Sequence, residues 1–411
     1  MISTPTTSPT ASPLPSPPSP EPIRLGLVCD FLEERWPSMD LIGEMLLRHL
    51  SEHQAEAVAV THVCPPMRVR ASRLPVLGRR GAAHNVDRLI NRFWDYPREA
   101  ARLGRSGRFD LFHLVDHSYS QLVHALPPGQ TIVTCHDLDT FRCLLDPASE
   151  PRPRWFRMMA RRILSGLQQA AALTCVSEAT RSALLAHGLV PENRLRVIPN
   201  AVPPECSPSP DPEADAQAAQ WLGPLAEAPP DRFDLLHVGT NIARKRIDIL
   251  LKVVAAIRRS KPQARLIKVG GAFSPEQTRL AHDLGLSDSI VHLPFCDRAT
   301  LAAVYRRAAL VLQPSDAEGF GLPVAEALAC GSAVLASNIP VLREIGGEAV
   351  LYAPVGDIDA WTETALTHLD AFLENAPAWQ ARQASGLLWA NRYRWTTHVA
   401  QLVDLYRSVL S

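Results

Sequence analysis

FDLLHVGTNIARKRIDILLKVVAAI, residues 233–257, condenses one α/β unit into a single line. Phe233 to Val238 is a short β-rich run, and Gly239 to Arg246 is a polar, basic loop. From Ile247 or Asp248 onward, Leu250, Leu251, Val254 and Ile257 recur at the spacing of one helical face. A strand passing directly into a helix is the repeating step of a parallel sheet covered by helices on both faces.

The same step recurs on either side. Downstream, Arg265 to Val269, Ile290 to Leu293, Leu310 to Gln313, Ala333 to Ala336 and Ala349 to Tyr352 each precede a helix-like segment. Upstream, strands are expected at Ile23 to Cys29, Leu111 to Val115, Thr131 to Cys135, Ala172 to Val176 and Arg194 to Ile198. Met39, Ile42, Leu46 and Leu50 mark a helix after Pro37. Two βα series in 411 residues predict an α/β fold of two Rossmann-like, doubly wound domains, and therefore a cleft. The expected organisation is a Pro/Ser/Thr-rich tail at 1–22, a first domain at 23–204, a linker or surface insertion at 205–231, and a second domain from 232.

Composition narrows the function. Lys+Arg and Asp+Glu are equal at 42 each, so no global field points to nucleic acid, and electrostatic function has to be local. No apolar run reaches the roughly 18 to 20 residues of a membrane span. The first residues lack the basic start and apolar core of a secretory signal, which makes a cytoplasmic location the expectation. The eight cysteines form no C-x-x-C pair and read as reduced, buried thiols. Neither G-x-G-x-x-G after the first strand nor a P-loop occurs, which excludes the usual dinucleotide oxidoreductases and P-loop NTPases.

In doubly wound sheets ligands bind beyond the carboxyl ends of the strands, so the polar residues there come first. Glu318-Gly-Phe-Gly-Leu-Pro-Val-Ala-Glu326 follows one strand, with Pro323 suited to a helical first turn beginning near Leu322. The amides of Leu322, Val324 and Ala325, with glycines 319 and 321 allowing close approach, form an anion site. Glu318 and Glu326 offer acceptor oxygens to paired hydroxyls. At the end of another strand, beside Gly239 and Thr240 as further binding positions, Arg244 and Lys245 can neutralise a diphosphate, Arg as a bidentate fork and Lys as a point charge. Either constellation alone is equally a solvated loop; their co-occurrence at strand ends of one half is the signal.

The stretch from Phe233 to Pro354 resembles the nucleotide-sugar domain of the retaining GT-B glycosyltransferases of family 4, through His237-Val238-Gly239, Arg244-Lys245, Glu318-x7-Glu326 and Pro340-Val341-Leu342-Arg343-Glu344. Thr134-Cys135-His136-Asp137, Val176-Ser177-Glu178 and Val197-Ile198-Pro199-Asn200 extend the resemblance into the first half. Residues 391–411, including Trp395 to Tyr406, resemble the family's last helix, crossing back to the first domain and closing a second domain of 232–390. The resemblance implies Arg244 and Lys245 on the donor diphosphate, Glu326 on the ribose, Glu318 on the transferred sugar and His136 beside sugar and leaving phosphate. Gly270, Gly271, Pro294 and Phe295 would border the base. It further implies retention of configuration and no cofactor beyond the nucleotide-diphosphate sugar itself. No metal is expected, since Arg244, Lys245 and the helix amides supply the countercharge. Asp137-Leu138-Asp139 and Asp357-Ile358-Asp359 read as chance D-x-D matches.

The loop Asp30 to Met39 departs from the family's Gly-rich pattern, so Glu34, Arg35 and Trp36 are expected to line the acceptor side. Ala201 stands where Gly is usual, predicting a turn without positive φ. The acceptor implied is a saccharide or lipid-linked glycan of bacterial surface polysaccharide or glycolipid synthesis. Arg-rich stretches at Arg68, Arg70, Arg73, Arg79 and Arg80, and at Arg152, Arg154, Arg157, Arg161 and Arg162, raise peripheral contact with an anionic membrane. A solvated helix face is the simpler reading of the second stretch. A GT-B nucleotide-sugar epimerase and a non-catalytic nucleotide-sugar-binding relative are the alternatives.

Overall fold

The computed structural model describes residues 21–73, 80–224, 232–294 and 296–411. Most of the expected tail, Arg79, residues 225–231 and Phe295 lie outside those residues. The alternation folds into two six-stranded sheets in which every neighbouring pair is parallel. The first contains β1 (Ile23–Val28), β2 (Val58–Val63), β3 (Leu111–Leu114), β4 (Thr131–Cys135), β5 (Ala172–Cys175) and β6 (Leu195–Val197), in the order β2-β1-β3-β4-β5-β6. The second contains β7 (Asp234–Val238), β8 (Arg265–Val269), β9 (Ile290–Leu293), β10 (Leu310–Gln313), β11 (Val334–Ser337) and β12 (Leu351–Ala353), ordered β12-β11-β10-β7-β8-β9.

Each order reverses once. The chain moves outward from β1 to β2 and returns to β3 on the other side of β1; in the second sheet it moves from β7 to β9 and returns to β10 beside β7. The crevices at β1/β3 and β7/β10 are therefore the two switch points, where neighbouring loops diverge and leave room for a ligand. The inner strands β3, β4, β10 and β11 are buried on both faces, which is why they read as nearly continuous apolar runs.

Two features differ from the sequence reading, and a third fills in a motif read as chance. β2 went unassigned because its alternating exposure leaves only Val58 and Val63 buried. The segment 205–231 is more than a linker: Asp211 caps a helix, Pro212–Leu222, by accepting the Ala214 amide at 3.1 Å. Ala214, Ala218 and Leu222 bury on one side of it, a spacing visible in the sequence but obscured by its Ala content. Asp357 is a helix cap, accepting the Ala360 amide at 3.0 Å.

The last helix, Trp395–Leu410, packs Val399, Leu402 and Tyr406 into the core of the first sheet with Leu25 and Leu27. The Tyr406 hydroxyl lies 2.7 Å from His113 Nδ1, and His113 Nε2 lies 2.7 Å from Thr134 Oγ1. Burial pushes the His113 imidazole down to about 3, so this link is neutral. No described helix is long and apolar enough to cross a membrane.

Candidate functional site

The β7/β10 crevice gathers the basic pair and the first of the two glutamates. After β7 a single 3-10 turn, Ala243–Lys245, aims both cations across the crevice, and Arg246 in left-handed conformation (φ 49°) starts the helix Ile247–Ser260. Lys245 Nζ donates to Glu318 Oε1 at 2.6 Å, and Arg244 NH1 donates to Glu318 Oε2 at 2.9 Å and to the Ala317 carbonyl at 2.9 Å. Gln313 Nε2 and Ser315 Oγ also donate to Glu318 Oε1, each at 2.7 Å. Burial alone would raise the Glu318 carboxyl, but Lys245, Arg244 and these hydrogen bonds overcome it and hold the group at about 2. Glu318 is thus a permanent anion fixing the two cations.

Glu326 has the opposite character. It is buried, one turn into the helix Leu322–Ala329, where it accepts from the Tyr305 hydroxyl at 2.9 Å. Burial pushes its carboxyl up to about 7, against the smaller pull of Tyr305. Gly321, at φ 93°, is the left-handed N-cap of that helix, a conformation suited to glycine. The Val324 amide, expected to be free for an anion, donates to the Gly321 carbonyl at 2.9 Å as the first turn tightens. That leaves Leu322 and Ala325 as the candidate amide donors of the turn.

Gly239 and Gly270 lie side by side at the ends of β7 and β8, where the Gly271 amide donates to the Gly239 carbonyl at 3.2 Å. Beneath them lies Lys268, a residue absent from the sequence reading. It is fully buried, donates to the Gly239 carbonyl at 2.6 Å, and is pushed down to about 8 by burial and by Lys245. Its place inside an apolar strand concealed it.

His136 ends β4 on the opposite wall. Its Nε2 is 2.8 Å from the Val115 carbonyl, which only accepts, so Nε2 carries the proton and Nδ1 of the neutral ring is an acceptor. Burial lowers its affinity for a second proton. His136 therefore suits orientation of a hydroxyl better than donation to phosphate.

Asp137 and Asp139, read as a chance D-x-D match in the sequence, face Arg244. Asp139 Oδ2 is 3.0 Å from Arg244 Nε and Asp137 Oδ2 is 3.9 Å from Arg244 NH2. Arg244 thus bridges carboxylates of both halves. The halves also meet through backbone. Gly319, expected to let a ligand approach, packs against the first half instead: an added Cβ would lie 1.9 Å from the His136 carbonyl oxygen. Ser177 Oγ donates to the Gly319 carbonyl at 2.8 Å, and the Glu344 carboxylate accepts the Glu178 and Ala179 amides at 2.7 and 3.0 Å, capping the helix Glu178–Ala186 across the cleft.

The β1/β3 crevice holds residues the sequence reading passed over. Asp30 follows β1 and Asp116 follows β3. Asp116 accepts the Ser118 amide at 2.8 Å and lies 3.2 Å from His117 Nδ1; those partners and His136 keep it ionised despite its burial. Asp30 is buried with neither carboxylate oxygen hydrogen-bonded, and burial and Asp116 push its carboxyl well above the usual range. Of the loop Asp30 to Met39, Trp36 lines a cavity shared with His136 and Arg244, whereas Glu34 turns inward to Arg88 and Arg92 at 3.5 and 3.4 Å. Ala201 has no positive φ, as expected.

Comparison with known proteins follows this division. Residues 43–206 match the model described as Glycosyltransferase Family 4, and residues 226–377 match Glycosyl transferases group 1. The serotype-specific mannosyltransferase WbdA of Escherichia coli is 31% identical over 281 residues, spanning 66% of this chain and 33% of WbdA. The chain thus covers about a third of the length of the WbdA proteins it matches. The O-antigen chain mannosyltransferase B of Escherichia coli is 27% identical over 287 residues, or 68% of this chain and 70% of that one. HepE from Anabaena, solved with UDP and glucose, shares the fold at a TM-score of 0.67 and 17% identity, over 94% of this chain and 100% of HepE. With one model on each half and two parallel sheets meeting at a cleft, the chain belongs to the family 4 glycosyltransferases of GT-B fold.

Proposed function

We propose that the protein is a retaining hexosyltransferase that moves a sugar from a nucleotide-diphosphate donor to a hydroxyl acceptor, in bacterial surface polysaccharide or glycolipid synthesis, without a metal. The observation that carries this reading is the convergence of Arg244, Lys245 and Glu318 at the β7/β10 switch point, facing His136. The mannosyltransferase relatives, and UDP bound in HepE, support it.

In this reaction the bond from sugar C1 to the β-phosphate oxygen breaks and its electron pair leaves with the diphosphate. The acceptor oxygen bonds to C1 on the same face, and its proton passes to the departing phosphate. Charge develops on phosphate oxygens, where Arg244 and Lys245, both held by Glu318, supply countercharge together with the first-turn amides of the helix Leu322–Ala329. These groups supply the countercharge that a metal supplies elsewhere. The diphosphate takes the place of Asp139 at Arg244, and Glu318, freed from part of its pairing, turns to the sugar hydroxyls. Glu326 accepts from the ribose, with Gly239, Thr240 and Gly270 around the nucleotide.

A panel of UDP-, GDP- and ADP-hexoses in a thermal-shift assay tests the donor reading, since a ligand held only by the folded state raises Tm with its affinity. At least one is expected to raise Tm and support transfer; no response to any would overturn it. The placement assigned is the cytoplasmic face, with peripheral membrane contact through the helix Arg154–Gln169, where exposed Trp155 and Met158 stand among Arg154, Arg161 and Arg162. Co-sedimentation with anionic but not neutral vesicles is the expected result, and no binding at low salt would contradict it.

A further inference from the structure

The first half contains a cavity of about 630 Å³ that opens onto His136 and Arg244. That size suits a small ligand. Its outer walls are aromatic and aliphatic, with Trp36, Phe93, Trp155 and Phe156 among the lining side chains. Its inner end is carboxylate-rich, with Asp116, Asp137 and Asp139 beside His136.

The charges of the cavity are already committed. Four guanidinium groups line it (Arg88, Arg92, Arg152 and Arg244), as do four carboxylates (Asp116, Asp137, Asp139 and Glu150). Arg88 and Arg92 both face Glu34, Arg92 also donates to Ser118 Oγ at 2.6 Å, Arg152 pairs with Glu150 at 2.6 Å, and Arg244 pairs with Glu318 and Asp139. His117 stands between Asp116 and Asp137, at 3.2 and 3.6 Å. With Arg244 taken by the donor diphosphate, a phosphate or carboxylate on the acceptor would have to break a pair of Arg88, Arg92 or Arg152 and then lie beside the carboxylate left behind, a like-charge contact in a poorly solvated space.

An uncharged sugar meets no such opposition. A pyranose ring presents C–H groups on its faces, which pack on aromatic side chains, and hydroxyls around its rim, which donate to carboxylates and to an unprotonated imidazole nitrogen. From this pairing of aromatic walls with an acidic floor beside His136, we infer that the cavity binds the acceptor and that the acceptor end is an uncharged saccharide. This rests on the glycosyl-transfer reading above and adds the substrate class to it.

The test uses the full chain, the nucleotide-hexose that raises Tm most, and two acceptor sets: octyl glucosides, mannosides and galactosides, against glucose 6-phosphate, mannose 6-phosphate and inositol 1-phosphate. Transfer to at least one octyl glycoside is expected, with kcat/KM at least tenfold above that of any phosphate. Trp155→Ala, a change at a half-exposed position, is expected to raise KM for that glycoside about tenfold with a smaller change in kcat. Phosphates used as well as or better than glycosides would overturn the inference, as would an unchanged acceptor KM in Trp155→Ala. Failure of every octyl glycoside while a donor still raises Tm would likewise overturn it and leave the donor reading standing. Absence of any donor response would instead bring down the donor reading.

Discussion

The two switch points are built on the same topology and carry opposite chemistry. At β7/β10, two cations and a helix N-terminus surround one carboxylate held ionised at about 2. At β1/β3, Asp30 and Asp116 are neighbours, one pushed up by burial and the other kept ionised by donors, with Asp137 and Asp139 beyond them. A diphosphate is favoured only at the first and a neutral polyol at the second. On the proposed reading, one fold used twice separates donor from acceptor: topology supplies two crevices, and the residues past four strands decide what each accepts.

Forcing the halves apart is the most severe way to break this arrangement. Gly319→Ala puts a methyl group into the His136 carbonyl and displaces Glu318 from His136, so kcat/KM is expected to fall about 100-fold, the usual cost of misplacing reacting groups by about 1 Å. Circular dichroism should show the fold retained; a wild-type rate would mean that this contact does not set the cleft.

The donor side can be weakened by pH alone. Glu326 titrates at about 7 in the fold, against roughly 4.3 in an unfolded chain. Between those values the folded state holds the extra proton, so this group's contribution to stability is present below about pH 4 and is lost as pH rises through 7. Donor binding should run the other way, because only the ionised carboxylate offers both oxygens to the ribose. Donor Kd is expected to rise up to about tenfold between pH 8 and pH 6, and Glu326→Gln should flatten that dependence. Identical pH profiles in wild type and variant would remove Glu326 from the nucleotide site.

Much of the donor half was legible in the sequence. Arg244, Lys245 and Glu318 lie just past strands whose apolar runs are unambiguous, and the structure brings the three side chains into contact. The occupied Val324 amide was not, because a tightened first turn leaves no mark on residue identity. The acceptor half was harder. Asp30 and Asp116 each follow a recognisable strand, but nothing in the sequence says that β1 and β3 are neighbours, and the pair gains meaning only from that adjacency. The contact made by Asp137 and Asp139 was hidden for a related reason: their partner Arg244 is about a hundred residues away in the other half.

Smaller changes sharpen the comparison. Asp139→Asn removes the acceptor-side competitor for Arg244, a half-exposed pair worth about 0.5–1 kcal/mol, so donor Kd should fall two- to fivefold while acceptor KM rises. A weaker donor Kd would show that Asp139 supports the diphosphate site. Glu344→Ala uncaps the helix Glu178–Ala186 across the cleft at a cost of about 1 kcal/mol, which is expected to lower Tm by roughly 2–4 °C. An unchanged melting curve would mean that solvent replaces this contact at no cost.

The central claim is that the β7/β10 crevice holds the donor by its diphosphate. Titration calorimetry with the nucleoside diphosphate of the best donor, comparing wild type with Lys245→Ala, tests it most directly. Loss of a charge-assisted contact worth about 1.5–3 kcal/mol predicts at least a tenfold weaker Kd in the variant, with the transfer rate reduced more than the affinity. Equal affinity in the two proteins would contradict the account.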